Sequence, residues 1–221
     1  MPVEINDILH VLAHELRTPV GIAHGYIRLL LEDRIPDETD RRRALEQMQK
    51  ALARLSALSL EATALAACYE QDGSAGDGRA AARDIIDHVI AAEYQSPVIV
   101  DAATISDAVV VRTADARGLG NALVDVVRAT ARELRGQACA VSVRVRDMSL
   151  ELLAGPAERL AELGAGPTAP DAGPLALERG GLGLALVHAA VVLDAHGAER
   201  WAINGSRQTA GIRVPLEEPH Q

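Results

Sequence analysis

Residues 14–19 read His-Glu-Leu-Arg-Thr-Pro, inside a run whose apolar residues recur at Ile5, Leu9, Leu12, Leu16, Pro19, Ala23, Tyr26 and Leu30. The steps alternate between four and three. That spacing is a heptad seam, and it predicts a helix packed in a bundle. With Leu9 and Leu16 at position a and Leu12 and Pro19 at position d, His14 falls at f and faces water. Thr18 follows one turn later on the same face, and Glu15 borders it. Pro19 removes one helical hydrogen bond, which predicts a bend just past the histidine.

Working outward, the first helix is expected over residues 3–33. Ile35-Pro36-Asp37 reads as a turn whose last two residues suit a helix start. A second helix is expected over 38–70, with a seam of Leu45, Met48, Leu52, Leu55, Ser59, Ala62, Ala66 and Tyr69, widened by Leu58 and Leu65. Two long antiparallel helices with wide apolar faces do not bury those faces alone. Pairing with a second copy completes a four-helix bundle, so a homodimer is expected. Arg41-Arg42-Arg43 reads first as a solvated face, with docking of an acidic partner as the alternative.

Residues 71–78, Gln-Asp-Gly-Ser-Ala-Gly-Asp-Gly, form a linker by composition. Beyond them the pattern mixes helix and strand. Residues 79–93, 114–135 and 182–196 read as helices. Val98–Val100, Val109–Arg112, 139–147, 148–154, 200–204 and 210–216 read as strands. The Gly/Pro/Ala-rich stretch 164–174 reads as a mobile loop or lid. The fold class expected is therefore α followed by α+β: a helical hairpin over 1–70, a linker over 71–78 and an α/β sandwich over 79–221.

Composition narrows the partners. A net charge of −9 argues against a nucleic-acid backbone. Hydrophobic residues make up 48% of the chain, yet there is no phenylalanine, so close packing by small residues is favoured over large aromatic anchors. Cys68 and Cys139 fit neither a disulfide framework nor a metal knuckle. No apolar run reaches the roughly 18 residues of a membrane span, and no signal-peptide pattern opens the chain. These features predict a soluble, cytoplasmic protein with neither membrane nor metal as a partner. Only thirteen residues precede His14. The expectation is a piece of a longer chain, or a protein that senses nothing by itself.

The hexapeptide His14–Pro19 resembles, letter for letter, the phosphoacceptor box of two-component sensor histidine kinases. The resemblance implies that His14 carries a phosphoryl group, that Glu15 orients or deprotonates its ring, and that Thr18 controls the reverse, phosphatase-like step. It also implies that residues 1–70 are a dimerisation and phosphotransfer domain and that 79–221 resemble the family's ATP-binding domain. Gly180-Gly181-Leu182-Gly183 is similar to the family's second glycine box, where Gly181 and Gly183 would let the backbone approach phosphates. His196-Gly197 fits the same pattern. Setting Arg117, Leu119 and Asn121 against the asparagine box puts Asp125 where the magnesium-holding asparagine belongs. In the first glycine box, Leu153 stands at the adenine-reading aspartate, and leucine cannot accept a hydrogen bond.

Three readings follow. The first is a histidine phosphotransferase that exchanges a phosphoryl group with a response-regulator receiver domain and needs no cofactor of its own. The second is an ATP-dependent kinase, using ATP and magnesium at an atypical site. The third is a pseudokinase scaffold that regulates by binding a response regulator.

Overall fold

The structure, a computed structural model, describes residues 5–70, 78–103, 105–106, 108–177 and 179–217. The chain divides into two compact units, a helical one over Glu4–Ala67 and a mixed one from Cys68 onward. Except for Gly78, the expected linker lies outside the described residues.

The helical unit is an antiparallel hairpin of α1 (Ile5–Leu31) and α2 (Glu38–Glu70). Asp37 starts α2: its Oδ1 accepts the backbone N–H groups of Thr39 at 2.7 Å and Asp40 at 3.1 Å. Those donors have no partner inside the helix, so the carboxylate caps them. The same bonds hold its pKa below the ordinary aspartate value.

A single hairpin buries the Leu58 and Leu65 side of the α2 seam. Ala44, Ala51, Leu58 and Leu65 are buried, seven residues apart, with Met48, Leu55 and Ala62 half-buried beside them. Leu45, Leu52, Ser59 and Ala66 are exposed. Alanine at the two inner positions permits close approach, and the larger leucines are displaced to the adjoining stripe. On α1, Val11, Pro19 and Ala23 are buried, while Ile5 and Leu9 are exposed. The side chain of Tyr69 lies outside those described.

In the mixed unit, six strands run in the order β2-β4-β5-β8-β7-β6. They are β2 (Val98–Ala102), β4 (Cys139–Arg146), β5 (Ser149–Gly155), β6 (Ala172–Gly173), β7 (Glu199–Ile203) and β8 (Ala210–Pro215). Only β2 and β4 pair in parallel. A separate ribbon joins β1 (Arg79–Ala81) to β3 (Val110–Arg112). Residues 79–81, expected as the start of a helix, are therefore a strand. The alternation of an edge ribbon over three residues is too short to compete with a helical pattern read over fifteen.

One face of the sheet packs under α3 (Ala82–Ala91), α4 (Ala116–Glu133) and α6 (Leu184–Ala195). Val141, Val143, Leu150, Leu152, Ala154, Ile212 and Val214 supply that face. On the opposite face Leu153 joins Leu163, Trp201 and Ile203 in a second apolar cluster. Trp201 donates from its indole to the Leu163 carbonyl at 2.9 Å, which ties α5 (Leu160–Leu163) to β7. The expected loop at 164–174 is stitched down at its end, because Ala172–Gly173 pairs with β7.

Candidate functional site

On α1, the His14 side chain is 73% exposed. Thr18 is exposed one turn away. Glu15 turns inward: its side chain is 22% exposed, and its Oε1 lies 4.0 Å from His14 Nδ1. That distance is charge proximity, beyond hydrogen-bond reach. The other oxygen, Oε2, accepts from Arg54 Nη2 on α2 at 3.0 Å. Arg54 Nη1 donates to Glu61 Oε1 at 2.9 Å. Burial alone would make the guanidinium easier to deprotonate, but the two flanking carboxylates outweigh it and raise its pKa. The sequence places Glu15 beside the imidazole, and its motif does not extend to Arg54. In the structure the carboxylate is shared between the ring and a cation from the opposite helix.

In the mixed unit, Asp125, Arg128 and Arg132 lie along one face of α4 and line a cleft of about 310 Å³ with Glu93, Tyr94 and Leu182. Leu182, the residue between Gly181 and Gly183, lines this cleft with Asp125, whereas the two glycines are not among its lining residues. Its cations are engaged within the chain. Arg128 pairs with Asp125 at 3.3 Å and donates to the Glu93 carbonyl at 3.1 Å. Arg132 donates to the Gly180 carbonyl at 3.3 Å and to Gln95 at 3.0 Å. Burial pushes the Asp125 carboxyl above the ordinary aspartate range, with Arg128 acting against it. Asn121 is directed elsewhere, to His88 on α3 at 2.8 Å. Among the described residues no group of three His, Cys, Asp or Glu is gathered to hold a metal.

Arg179, immediately before the glycine run, is fully buried. Its Nη1 donates to the Thr209 carbonyl at 2.7 Å and to the Thr130 hydroxyl at 3.2 Å. Its Nη2 reaches the Ser206 carbonyl at 3.1 Å and its Nε the Ala176 carbonyl at 3.1 Å. The guanidinium thus bridges α4 and the β7–β8 turn, where Thr209 packs against Gly155. Burial lowers its pKa to about 10, opposed by the charge of Glu133. Glu133 also accepts the Gly180 N–H at 2.7 Å. Gly180 has a φ of 65°, and a Cβ there would stand 2.5 Å from the Ala129 Cα. This glycine serves close packing on α4. Leu153, matched in the sequence to a base-reading aspartate, belongs to the cluster on the far face of the sheet from α4 and α6.

Residues 4–60 match the His Kinase A (phospho-acceptor) domain. Among solved structures the chain is similar to the Acinetobacter baumannii histidine kinase AdeS, with a TM-score of 0.57 and 16% identity, covering 93% of this chain and 98% of that one. It is also similar to a bacterial phosphotransferase, with a TM-score of 0.38 and 15% identity over 98% of each chain. A third similar structure is the histidine kinase ThkA in complex with the response regulator protein TrrA, with a TM-score of 0.49 and 16% identity over 92% of this chain and 59% of that one. At 16% identity the likeness to AdeS is one of fold. No curated protein matches the sequence. Among the described residues no helix is long and apolar enough to cross a membrane.

Proposed function

We propose that the chain, whose residues 4–60 match the His Kinase A (phospho-acceptor) domain, is a member of the two-component sensor histidine kinase family that works as a histidine phosphotransferase, exchanging a phosphoryl group between His14 and the aspartate of a response-regulator receiver domain. The observation that carries this reading is the exposed His14 on α1 with a carboxylate 4.0 Å from its ring. Phosphoryl transfer asks chiefly for positioning and charge neutralisation. An imidazole whose Nδ1 faces Glu15 leaves Nε2 free toward solvent as the nucleophile. Thr18 is the neighbour placed to act on the reverse step.

The reading includes no use of ATP. The residues present fit a magnesium nucleotide poorly. Asp125 offers a carboxylate whose charged form is already disfavoured by burial, and a triphosphate beside it would add repulsion. Arg128 and Arg132 are committed to internal acceptors, so a nucleotide would have to break those bonds. Gly180 lies against α4. Gly181 and Gly183 keep positive φ values, in keeping with a fold that has outlasted its ligand.

The protein acts in this reading as a cytoplasmic homodimer. Support comes from the apolar stripe that a single hairpin leaves open, with Ile5 and Leu9 on α1 and Leu45 and Leu52 on α2 all more than half exposed. Each leucine buried there would contribute roughly 1.5–3 kcal/mol.

The test is to incubate the protein with phosphorylated receiver domains in the absence of ATP and to assay acid-labile, base-stable label. Label on His14 is the expected result. Tight receiver binding with no label would favour the scaffold, and low-micromolar binding of Mg-ATP by calorimetry would favour the kinase.

A further inference from the structure

We infer that Arg54 is a positioning residue for phosphoryl transfer at His14, acting through Glu15; the inference rests on the phosphotransfer reading above. Arg54 stands on the opposite helix from the histidine, yet its guanidinium is a fork between two carboxylates. Nη2 holds Glu15 Oε2 at 3.0 Å, and Nη1 holds Glu61 Oε1 at 2.9 Å. A planar guanidinium fixes the direction of both bonds, which an ammonium does not. With one oxygen held from α2, the Glu15 carboxylate keeps few rotamers, and its free oxygen, Oε1, is the one left near His14 Nδ1. Without the clamp, a glutamate at the edge of an exposed helix face would regain its rotamer freedom and spend little time at the ring.

The chemistry gives that position its value. In the forward step the Nε2 lone pair of His14 forms a bond to phosphorus. The donor's bond to phosphorus breaks, and its electron pair leaves on the receiver's carboxylate oxygen. The proton on Nδ1 stays in place, so the ring becomes cationic as the N–P bond forms. A carboxylate at Nδ1 stabilises that charge and holds the tautomer that exposes Nε2. A rotation of Glu15 is needed to shorten the 4.0 Å separation to a hydrogen bond. Glu61 holds the other arm of the fork, and its Oε2 is buried with no hydrogen-bond partner among the described residues, so the guanidinium stays in place while Glu15 pivots about its held oxygen.

The experiment compares wild type, Arg54→Ala, Arg54→Lys and His14→Ala as full chains, with phosphoramidate as donor and phosphohistidine read by phosphorus NMR. With this donor the bond broken is P–N, and ammonia leaves after protonation. Arg54→Ala should lower the maximal rate of His14 labelling by about ten- to a hundredfold, with the half-saturating donor concentration, the thermal midpoint and the oligomeric mass unchanged. Arg54→Lys should recover part of the rate, since it keeps the charge and loses the fork. A merely structural arginine would move the thermal midpoint and leave the rate of the folded fraction alone. Equal maximal rates in wild type and Arg54→Ala, with His14 labelled in both, would overturn the inference and leave the phosphotransfer reading standing. An unlabelled wild type, tried also with phosphorylated receivers, would overturn both. Should Arg54→Ala fail to fold, a full wild-type rate in Arg54→Lys overturns the inference and a several-fold loss supports it.

Discussion

The helical hairpin and the mixed domain differ in what their polar groups are already doing. On the hairpin the histidine is open to solvent, and the ion network beside it ends on a Glu61 oxygen with no partner among the described residues. In the mixed domain the charged groups along α4 are bonded to one another or to the glycine run: Arg128 to Asp125, Arg132 to the Gly180 carbonyl, and Glu133 to the Gly180 N–H. Both regions contain residue types suited to phosphate chemistry. What separates them is availability. A buried guanidinium with four partners has traded its water for fixed acceptors, and a ligand must displace those bonds before it gains any of its own.

The largest effect that would break this comparison is at His14. Replacing it by alanine should abolish acid-labile label while moving stability by no more than about 0.5 kcal/mol, as for an exposed helical position; label transfer and thermal denaturation on the same preparation check both halves. Leu153→Asp comes next. A carboxylate placed among Leu163, Trp201 and Ile203 should destabilise the mixed domain by about 4 kcal/mol or more. Because that cluster lies on the far face of the sheet from α4, the change should confer no nucleotide binding, and a calorimetric signal with Mg-ATP would show that the face has been misassigned. Arg179→Met should follow, at about 3 kcal/mol, since it leaves the Thr209 and Ser206 carbonyls without their donor. A denaturant midpoint equal to wild type would mean that water replaces the guanidinium, and the domain would then be more open than the bonding implies.

How far each feature is legible depends on the length of chain that encodes it. The hairpin repeats over more than fifty residues, so its period is legible; which stripe of α2 a single hairpin buries is not, because Ala44 and Ala51 on that stripe are outranked in size by the leucines beside them. Which face Leu153 takes is not legible, because Leu152, Leu153 and Ala154 are consecutively apolar. Period two vanishes where both faces of a strand are covered. Arg179 cannot be read at all: a buried arginine and a surface one have the same letter, and its partners lie 3, 27, 30 and 49 residues away. Arg54 is readable in principle. The turn sets Leu31 opposite Glu38, and counting sixteen residues along each arm (31 − 15 and 54 − 38) sets Glu15 opposite Arg54.

Asp125 gives the smallest effect and the one most sensitive to pH. Burial raises its carboxyl pKa above the unfolded value of 3.8, against the pull of Arg128. The folded state therefore holds this proton more tightly than the unfolded chain does. Below the unfolded pKa the group is neutral in both states and contributes nothing. As pH rises through the unfolded value toward the folded one, the unfolded chain ionises first, and stability is lost; above both, the full penalty remains. An asparagine side chain at this position, being neutral at every pH, carries no such penalty. Asp125→Asn should thus stabilise the domain near neutral pH by on the order of 0.5 kcal/mol, and the gain should vanish as the solution is acidified below the unfolded pKa. Denaturation of both proteins over that pH range measures it. A loss of stability at neutral pH would mean that the pair with Arg128 outweighs burial. The aspartate would then be a well-kept ion pair of the cleft, and the contrast with the open histidine would be sharper still.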